Sequence, residues 1–195
     1  MSKPQIHTWF PKTIFMVDDV LTSMIPTYES KIKEIVNTLG SRRDGMNFVD
    51  STHSSHAQLH TLPEFKDLAD TVLHNAVIFL SELGYDTTVT NRIKIVNMWA
   101  NISYPGDFIF PHVHDGSILS GVFYVKKFEG SQIKFFNNLY KMITVSQMPN
   151  NLSYEFCTYD CNPGRILMWQ SDFLHGTERQ PAGEKIVISY NLGYS

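Results

Sequence analysis

From about residue 90 onward the chain keeps a two-residue period, and this limits it to an antiparallel β architecture. Ile93, Ile95, Asn97, Trp99 and Asn101 fall on one side of a predicted strand, and Lys94, Val96, Met98 and Ala100 on the other. Further strands are predicted in FIFPHVH, ILSGVFYVKK, SQIKFFN, LSYEFCTY, RILMWQ and KIVISYNLGY. The turn signals YPGD, DG, EG, NPG and PAG separate most of them. Many short strands without helices between them make a sandwich or barrel.

The first half reads differently. Residues 17–84 are largely helical in pattern. Asp18 and Asp19 can cap a first segment, in which Ile32, Ile35, Val36 and Leu39 recur at helical spacing and Gly40 stops the run. A second helix is marked by Thr61, Pro63 and Glu64 as a capping box, and by an apolar stripe of Ala69, Val72, Leu73, Ala76, Val77 and Leu80 that Gly84 ends. The expected fold class is therefore mainly β with N-terminal helices. It is a double-stranded β-helix, or jelly roll, with the helices packed on its major sheet. One domain spans residues 1–195, with a helical support region at 1–89 and a jelly-roll core at 90–195.

Composition excludes several classes. The 195 residues are 43% hydrophobic and 18% charged, which is globular rather than disordered. A net charge of -3 without a basic run gives no nucleic-acid signal. Cys157 and Cys161 stand four apart with no second pair, so they are expected to be reduced thiols rather than half of a zinc site or a disulfide framework. MSKPQIHTWF has no apolar signal core, and no stretch approaches ~18 apolar residues. The expectation is a cytoplasmic protein without a membrane span; a homodimer is left open.

The chemistry is concentrated in FPHVHDGSILSGVFYVKK. His112 and His114 are two apart, and on a strand such positions share a face and can share a metal ion. His175, 63 residues after His112, follows the apolar strand RILMWQ and is the candidate third ligand. Three ligands on one side of a metal leave positions open for co-substrate and dioxygen, although imidazole suits Fe(II), Zn(II) and Cu(II) alike. Ten residues further on, Lys185 opens a strand, where a buried ammonium needs an anion to meet. The segment between the two helices holds His53, His56 and His60, with Asp50 before them. Such a cluster could bind metal, but the stretch is polar and Ser-rich without a fixing period and reads as a loop; a mobile loop near an active site has the same pattern.

The order H-x-H, a distant His and then a basic residue resembles the 2-oxoglutarate- and Fe(II)-dependent oxygenases of the prolyl-hydroxylase-like superfamily. It is similar in particular to a subgroup of about this length. Members of that subgroup carry a segment like H-x-H-x-x-S-x-x-S-G-x-x-Y and a basic residue before a strand finishing in aromatic-Asn. Here these stand as HVHDGSILSGVFY and KIVISYN. The resemblance covers about residues 95–192. Two positions depart from the wider family. His114 stands where most relatives have a carboxylate, so either three histidines bind iron or Asp115 supplies the carboxylate; strand parity favours the histidines. Lys185 stands where the subgroup often has Arg, and where collagen-type prolyl hydroxylases have Lys; either gives a cation.

The resemblance implies Fe(II) held by His112, His114 and His175. It implies 2-oxoglutarate chelating the iron, with its far carboxylate on Lys185. Tyr124, Ser120, Asn101 and Ser189 are the candidates to complete that cradle. Dioxygen and an unidentified prime substrate are the other partners, with succinate and CO2 as products. Two rivals remain: a three-histidine cupin-type dioxygenase that works without 2-oxoglutarate, and a jelly-roll module that binds metal without catalysis.

Overall fold

In the computed structural model, residues 5, 11–39, 48–130, 132–137, 150 and 153–194 are described. Among the described residues nine strands form two antiparallel sheets. The strands are β1 (Ile14–Val17), β2 (Asp50–Ser51), β3 (Ile93–Ser103), β4 (Leu119–Lys126), β5 (Gln132–Phe136), β6 (Phe156–Asp160), β7 (Ile166–Gln170), β8 (His175–Thr177) and β9 (Lys185–Tyr194). The major sheet has the order β1-β7-β4-β9-β3-β2, and the minor sheet β6-β5-β8. This is the expected jelly roll. Helices α1 (Ile25–Leu39) and α2 (Lys66–Glu82), with the short α3 (Thr87–Thr90), complete the fold.

The major sheet separates two apolar clusters. Its outer face carries Met98, Ala100, Leu119, Phe123, Ile188 and Tyr190 against Tyr28 and Ile32 of α1 and Leu68, Val72, Ala76 and Leu80 of α2. Each large side chain buried there contributes about 1.5–3 kcal/mol. Its inner face meets the minor sheet through Val122, Tyr124, Leu167, Trp169 and Val187, against Ile133 and Phe135. Alternation explains both faces apart from two register shifts, one of them in β4 against β9 between Tyr124 and Lys126. The register of β3 against β9 shifts between Ile95 and Asn97. This bulge inserts Val96, which is 43% exposed, and exchanges the faces. Ile93 and Ile95 therefore pack outward with Met98 and Ala100, rather than sharing a side with Asn97, Trp99 and Asn101.

The helix starts also differ from the sequence-based expectation. Asp18 does not cap α1; its carboxylate accepts from Arg165 Nε at 2.6 Å and Nη2 at 2.9 Å, and this pairing holds it below the usual carboxylate range. Asp19 takes a left-handed φ of 59°. The Thr61–Glu64 capping box does not form. Thr61 Oγ1 instead donates to Gln58 O at 2.8 Å, Glu64 pairs with Lys31 at 3.2 Å, and 3-10 turns at Leu59–Thr61 and Pro63–Phe65 lead into α2. Leu39 is 53% exposed and does not extend the buried stripe of α1. Gly40 lies outside the described residues. Gly84 ends α2 as expected, at φ 89°. The cysteines are free thiols, Cys157 exposed and Cys161 buried. Among the described residues no helix is long and apolar enough to cross a membrane.

One close approach sets the spacing of the outer layer. A Cβ on Gly121 of β4 would lie 2.5 Å from the Tyr190 ring and 2.6 Å from Leu167 O. Glycine lets the Tyr190 ring lie flat across β4. Gly121→Ala is expected to destabilise the protein by about 1–3 kcal/mol, read as a lower urea midpoint at unchanged slope. An unchanged midpoint would show that the ring has room to move.

Candidate metal centre and its cavity

The predicted strand FIFPHVH does not form. Between β3 and β4 the chain runs as turns and single bridges, and His112 makes one isolated antiparallel bridge to His175. The amide of His112 donates to His175 O at 2.9 Å, and that of His175 donates back to His112 O at 3.1 Å. Gly176 allows this approach, since a Cβ there would sit 2.8 Å from Ile109 O and 3.0 Å from Pro111 N. The His114 amide donates to Ser171 O at 3.0 Å, which folds the connection back over the cavity mouth. His112 and His114 are thus brought together by backbone bonds to β8 and to the turn before it, not by strand parity.

The three imidazoles converge. One ring nitrogen from each of His112, His114 and His175 lies within 4.8 Å of the others. Ring centroids are 4.4 Å apart for His112–His175, 4.9 Å for His112–His114 and 5.1 Å for His114–His175. His112 Nδ1 donates to Phe110 O and His175 Nδ1 to Phe173 O, each at 2.8 Å, which turns the two Nε2 lone pairs toward the shared point. Burial disfavours the imidazolium in all three. It lowers the pKa of His112, brings His114 down to about 4 and His175 to about 3, with the neighbouring rings adding to the last two shifts. Three neutral nitrogen donors with an open side fit an imidazole-binding divalent ion. Asp115 is exposed and outside the group.

Behind the triad lies a cavity of about 220 Å³ between the two sheets. Lys185 lines it and is only 4% exposed. Among the described residues its ammonium meets no carboxylate; burial lowers its pKa, opposed only by the Cys161 thiol. Tyr124 also lines the cavity. Its hydroxyl lies against the Cys161 thiol without a hydrogen bond of good geometry, and burial raises its pKa well above the phenol value. Trp169 packs on His175 at 4.6 Å between centroids, and its indole N–H has no partner among the described residues. A buried cation and two unspent donors in one cavity are costly without a ligand that accepts from them. A small carboxylate answers this need.

The other sequence candidates divide. Asn101 lines the cavity and donates its amide to Ser189 Oγ at 3.1 Å, with Ser189 also in the wall. Ser120 faces inward but is not in the wall. Its hydroxyl bonds Ser171 Oγ and Asn191 Oδ1, each at 2.8 Å, so it braces β4 to its neighbours. Contact between Ser120 and a co-substrate is not supported by this position. Trp99 lines the cavity and Asn97 does not. Glu178 pairs with Lys134 at 3.0 Å, and Arg179 sits 4.5 Å above the Phe108 ring.

Two wall residues had no distinguishing signal in the sequence. Cys161 follows β6 and reaches the cavity floor beside Lys185. His53 comes from the Ser-rich loop. That loop is pinned to β3 where Thr52 N donates to Ala100 O and Ala100 N to Thr52 Oγ1, both at 3.0 Å. The pin sets the His53 ring edge-on to Trp99 at 4.7 Å. His56 and His60 do not join it in the cavity, and the three loop histidines form no metal cluster with Asp50 among the described residues.

Comparison with known proteins agrees with this geometry. Residues 97–191 match the family model described as "Putative 2OG-Fe(II) oxygenase". No curated protein matches the sequence. A prolyl-4-hydroxylase from Pseudomonas putida superposes with a TM-score of 0.69 at 8% identity, covering 94% of each chain. HygX from Streptomyces hygroscopicus, solved with nickel and 2-oxoglutarate, gives 0.64 at 11% identity over 94% of this chain and 84% of its own. The viral collagen prolyl hydroxylase of Paramecium Bursaria Chlorella virus-1, in its 2-oxoglutarate complex, gives 0.59 at 13% identity over 92% and 94%. At these identities the structures speak for the fold, and the family match spans the segment that carries all three histidines and Lys185. Residues 97–191 belong to the 2-oxoglutarate- and Fe(II)-dependent oxygenases.

Proposed function

We propose that the protein is a dioxygenase that oxidises a prime substrate, most simply by hydroxylation, and releases succinate and CO2. His112, His114 and His175 hold the iron, and Lys185 with Tyr124 receives the far carboxylate of 2-oxoglutarate. The observation that carries this reading is Lys185. An ammonium 4% exposed, with no carboxylate partner among the described residues, shares one cavity with three imidazoles. A dicarboxylate bound at the metal end puts its second charge where that ammonium waits.

When bound, Fe(II) and 2-oxoglutarate supply the oxidation, with dioxygen reduced and the keto acid losing CO2. The chain's own residues do the rest. His112 and His175 present Nε2 because Phe110 O and Phe173 O hold their Nδ1 protons. Burial keeps the imidazoles neutral, so the metal need not displace protons from them. Lys185 and Tyr124 orient the co-substrate by charge and by a phenol proton. Val122, Ile133 and Val187 keep bulk water from the floor, which strengthens the ion pair. His53, Trp99, Ile109 and Thr177 also stand in the wall, with no carboxylate or ammonium among them. A prime substrate entering there meets ring faces and hydroxyls rather than charge.

The all-histidine ligand set also suits a dioxygenase that binds its substrate directly to metal. In that case Lys185 would stay uncompensated, which argues against it. Among proteins of this fold are prolyl hydroxylases and an epimerase, SnoN, solved with nogalamycin RO, so the architecture does not choose the prime substrate.

Three outcomes check the reading. Anaerobic addition of 2-oxoglutarate to the Fe(II) protein should produce a weak visible charge-transfer band, and aerobic turnover should release succinate; neither appears if the protein only binds metal. His175→Ala should remove Fe(II) binding while leaving the far-UV circular dichroism unchanged. Lys185→Met should act in two directions. It removes an uncompensated buried charge, so the apo protein should be stabilised by about 1–3 kcal/mol, with a higher Tm. It should also weaken 2-oxoglutarate at least tenfold. Full co-substrate affinity in that variant would exclude Lys185 from the site.

A further inference from the structure

Resting on the metal-centre reading above, we infer that His114 is an exchangeable ligand. Two histidines retain the metal, and the third position can pass to a monodentate donor from solution, such as formate or free imidazole.

The three imidazoles are not equivalent. His112 and His175 are each held twice: by the reciprocal backbone bonds that join them, and by an Nδ1 bond to a carbonyl. The second bond fixes both the tautomer and the ring rotation, and it is what a metal-binding histidine ordinarily has. His114 has neither. Among the described residues its ring nitrogens make no hydrogen bond, and its ring contacts beyond the triad include Trp99, edge to face at 6.1 Å. Its backbone is tied by its amide to Ser171 O at 3.0 Å and, more weakly, by the Ser117 amide to its own carbonyl at 3.4 Å, and two residues later the chain turns through Gly116 at φ 81°. A ring without an anchor keeps its rotamer freedom, so fixing it on a metal costs more entropy than for its two partners. Its coordinate bond is therefore the weakest of the three.

Charge points the same way. Three neutral imidazoles leave a divalent ion with its whole charge, since no carboxylate belongs to the group and Asp115 is outside it. Lys185 adds a second positive charge at the other end of the cavity. An anion offered at the His114 position is favoured by this field, where a neutral ring gains nothing from it. The Trp99–His53 side is where the departing ring would go, as Trp99 is the ring contact of His114 outside the triad and His53, which stands edge-on to Trp99, is exposed.

Co(II) titration of the apo protein tests this, because the ligand-field spectrum of Co(II) reports coordination directly, without turnover. The variants are made in an Asp115→Asn background, so the neighbouring carboxylate cannot stand in. His114→Gly is expected to weaken Co(II) about 10–100-fold and to regain most of that affinity, with a changed spectrum, when imidazole or formate is added. His112→Gly and His175→Gly are expected to lose Co(II) beyond rescue. Circular dichroism and Tm confirm that each variant is folded. Loss in His114→Gly as complete as in His175→Gly, or no recovery with either added donor, overturns the inference while leaving the three-histidine centre standing. Failure of the unsubstituted protein to bind Co(II) overturns both.

Discussion

Two reciprocal backbone hydrogen bonds between His112 and His175 join the irregular connection after β3 to the minor sheet. They close one end of the sandwich, and they set the spacing of the imidazoles at the same time. Gly176 is required for the approach, because a side chain there would push against Ile109 and Pro111. The site geometry is therefore a by-product of how the two sheets are laced together. Each imidazole of this pair is held in place through the peptide backbone.

The cavity behind that lacing is thermodynamically expensive. Among the described residues Lys185 is buried without a counter-ion and the Tyr124 hydroxyl and the Trp169 indole N–H lack good partners, while desolvation disfavours the charged form of three histidines. A fold selected only for stability would fill this space with aliphatic side chains, as it does on the other side of the same sheet. The stress is confined to one face, where ligand binding relieves it. Elsewhere the structure offsets it with a large apolar layer of helices on sheet.

Much of this was legible from residue order. Alternation after residue 90 set the sheets, the punctuation set the turns, and an apolar strand leading to His175 with a lysine beyond it marked the site. His112 and His114 do lie together, but strand parity is not the reason. The segment is not a strand, and two imidazoles two residues apart can also meet across a folded-back connection. The bulge at Ile95/Asn97 was invisible, because a one-residue register shift leaves no mark in a pattern that is apolar on both sides of it. The capping box failed because Glu64 had a better partner in Lys31, a contact between helices distant in sequence. Cys161 as a wall residue, and His53 as the loop histidine that reaches the cavity rather than His56 or His60, could not be singled out for a similar reason. Neither lies in a periodic segment, and each reaches the cavity only through a tertiary tie.

The two apolar clusters share their strands but not their side chains. Residues along β3, β4, β7 and β9 point alternately to one or the other, so a substitution on the inner surface leaves the helix-packed layer intact. Such a sheet works as a partition: the side that holds the molecule together is shielded from changes on the side that meets the reactants. Descendants of this chain can reshape the chamber around Trp99, Ile133 and Val187, and so acquire a different clientele, without first having to find a new way to fold.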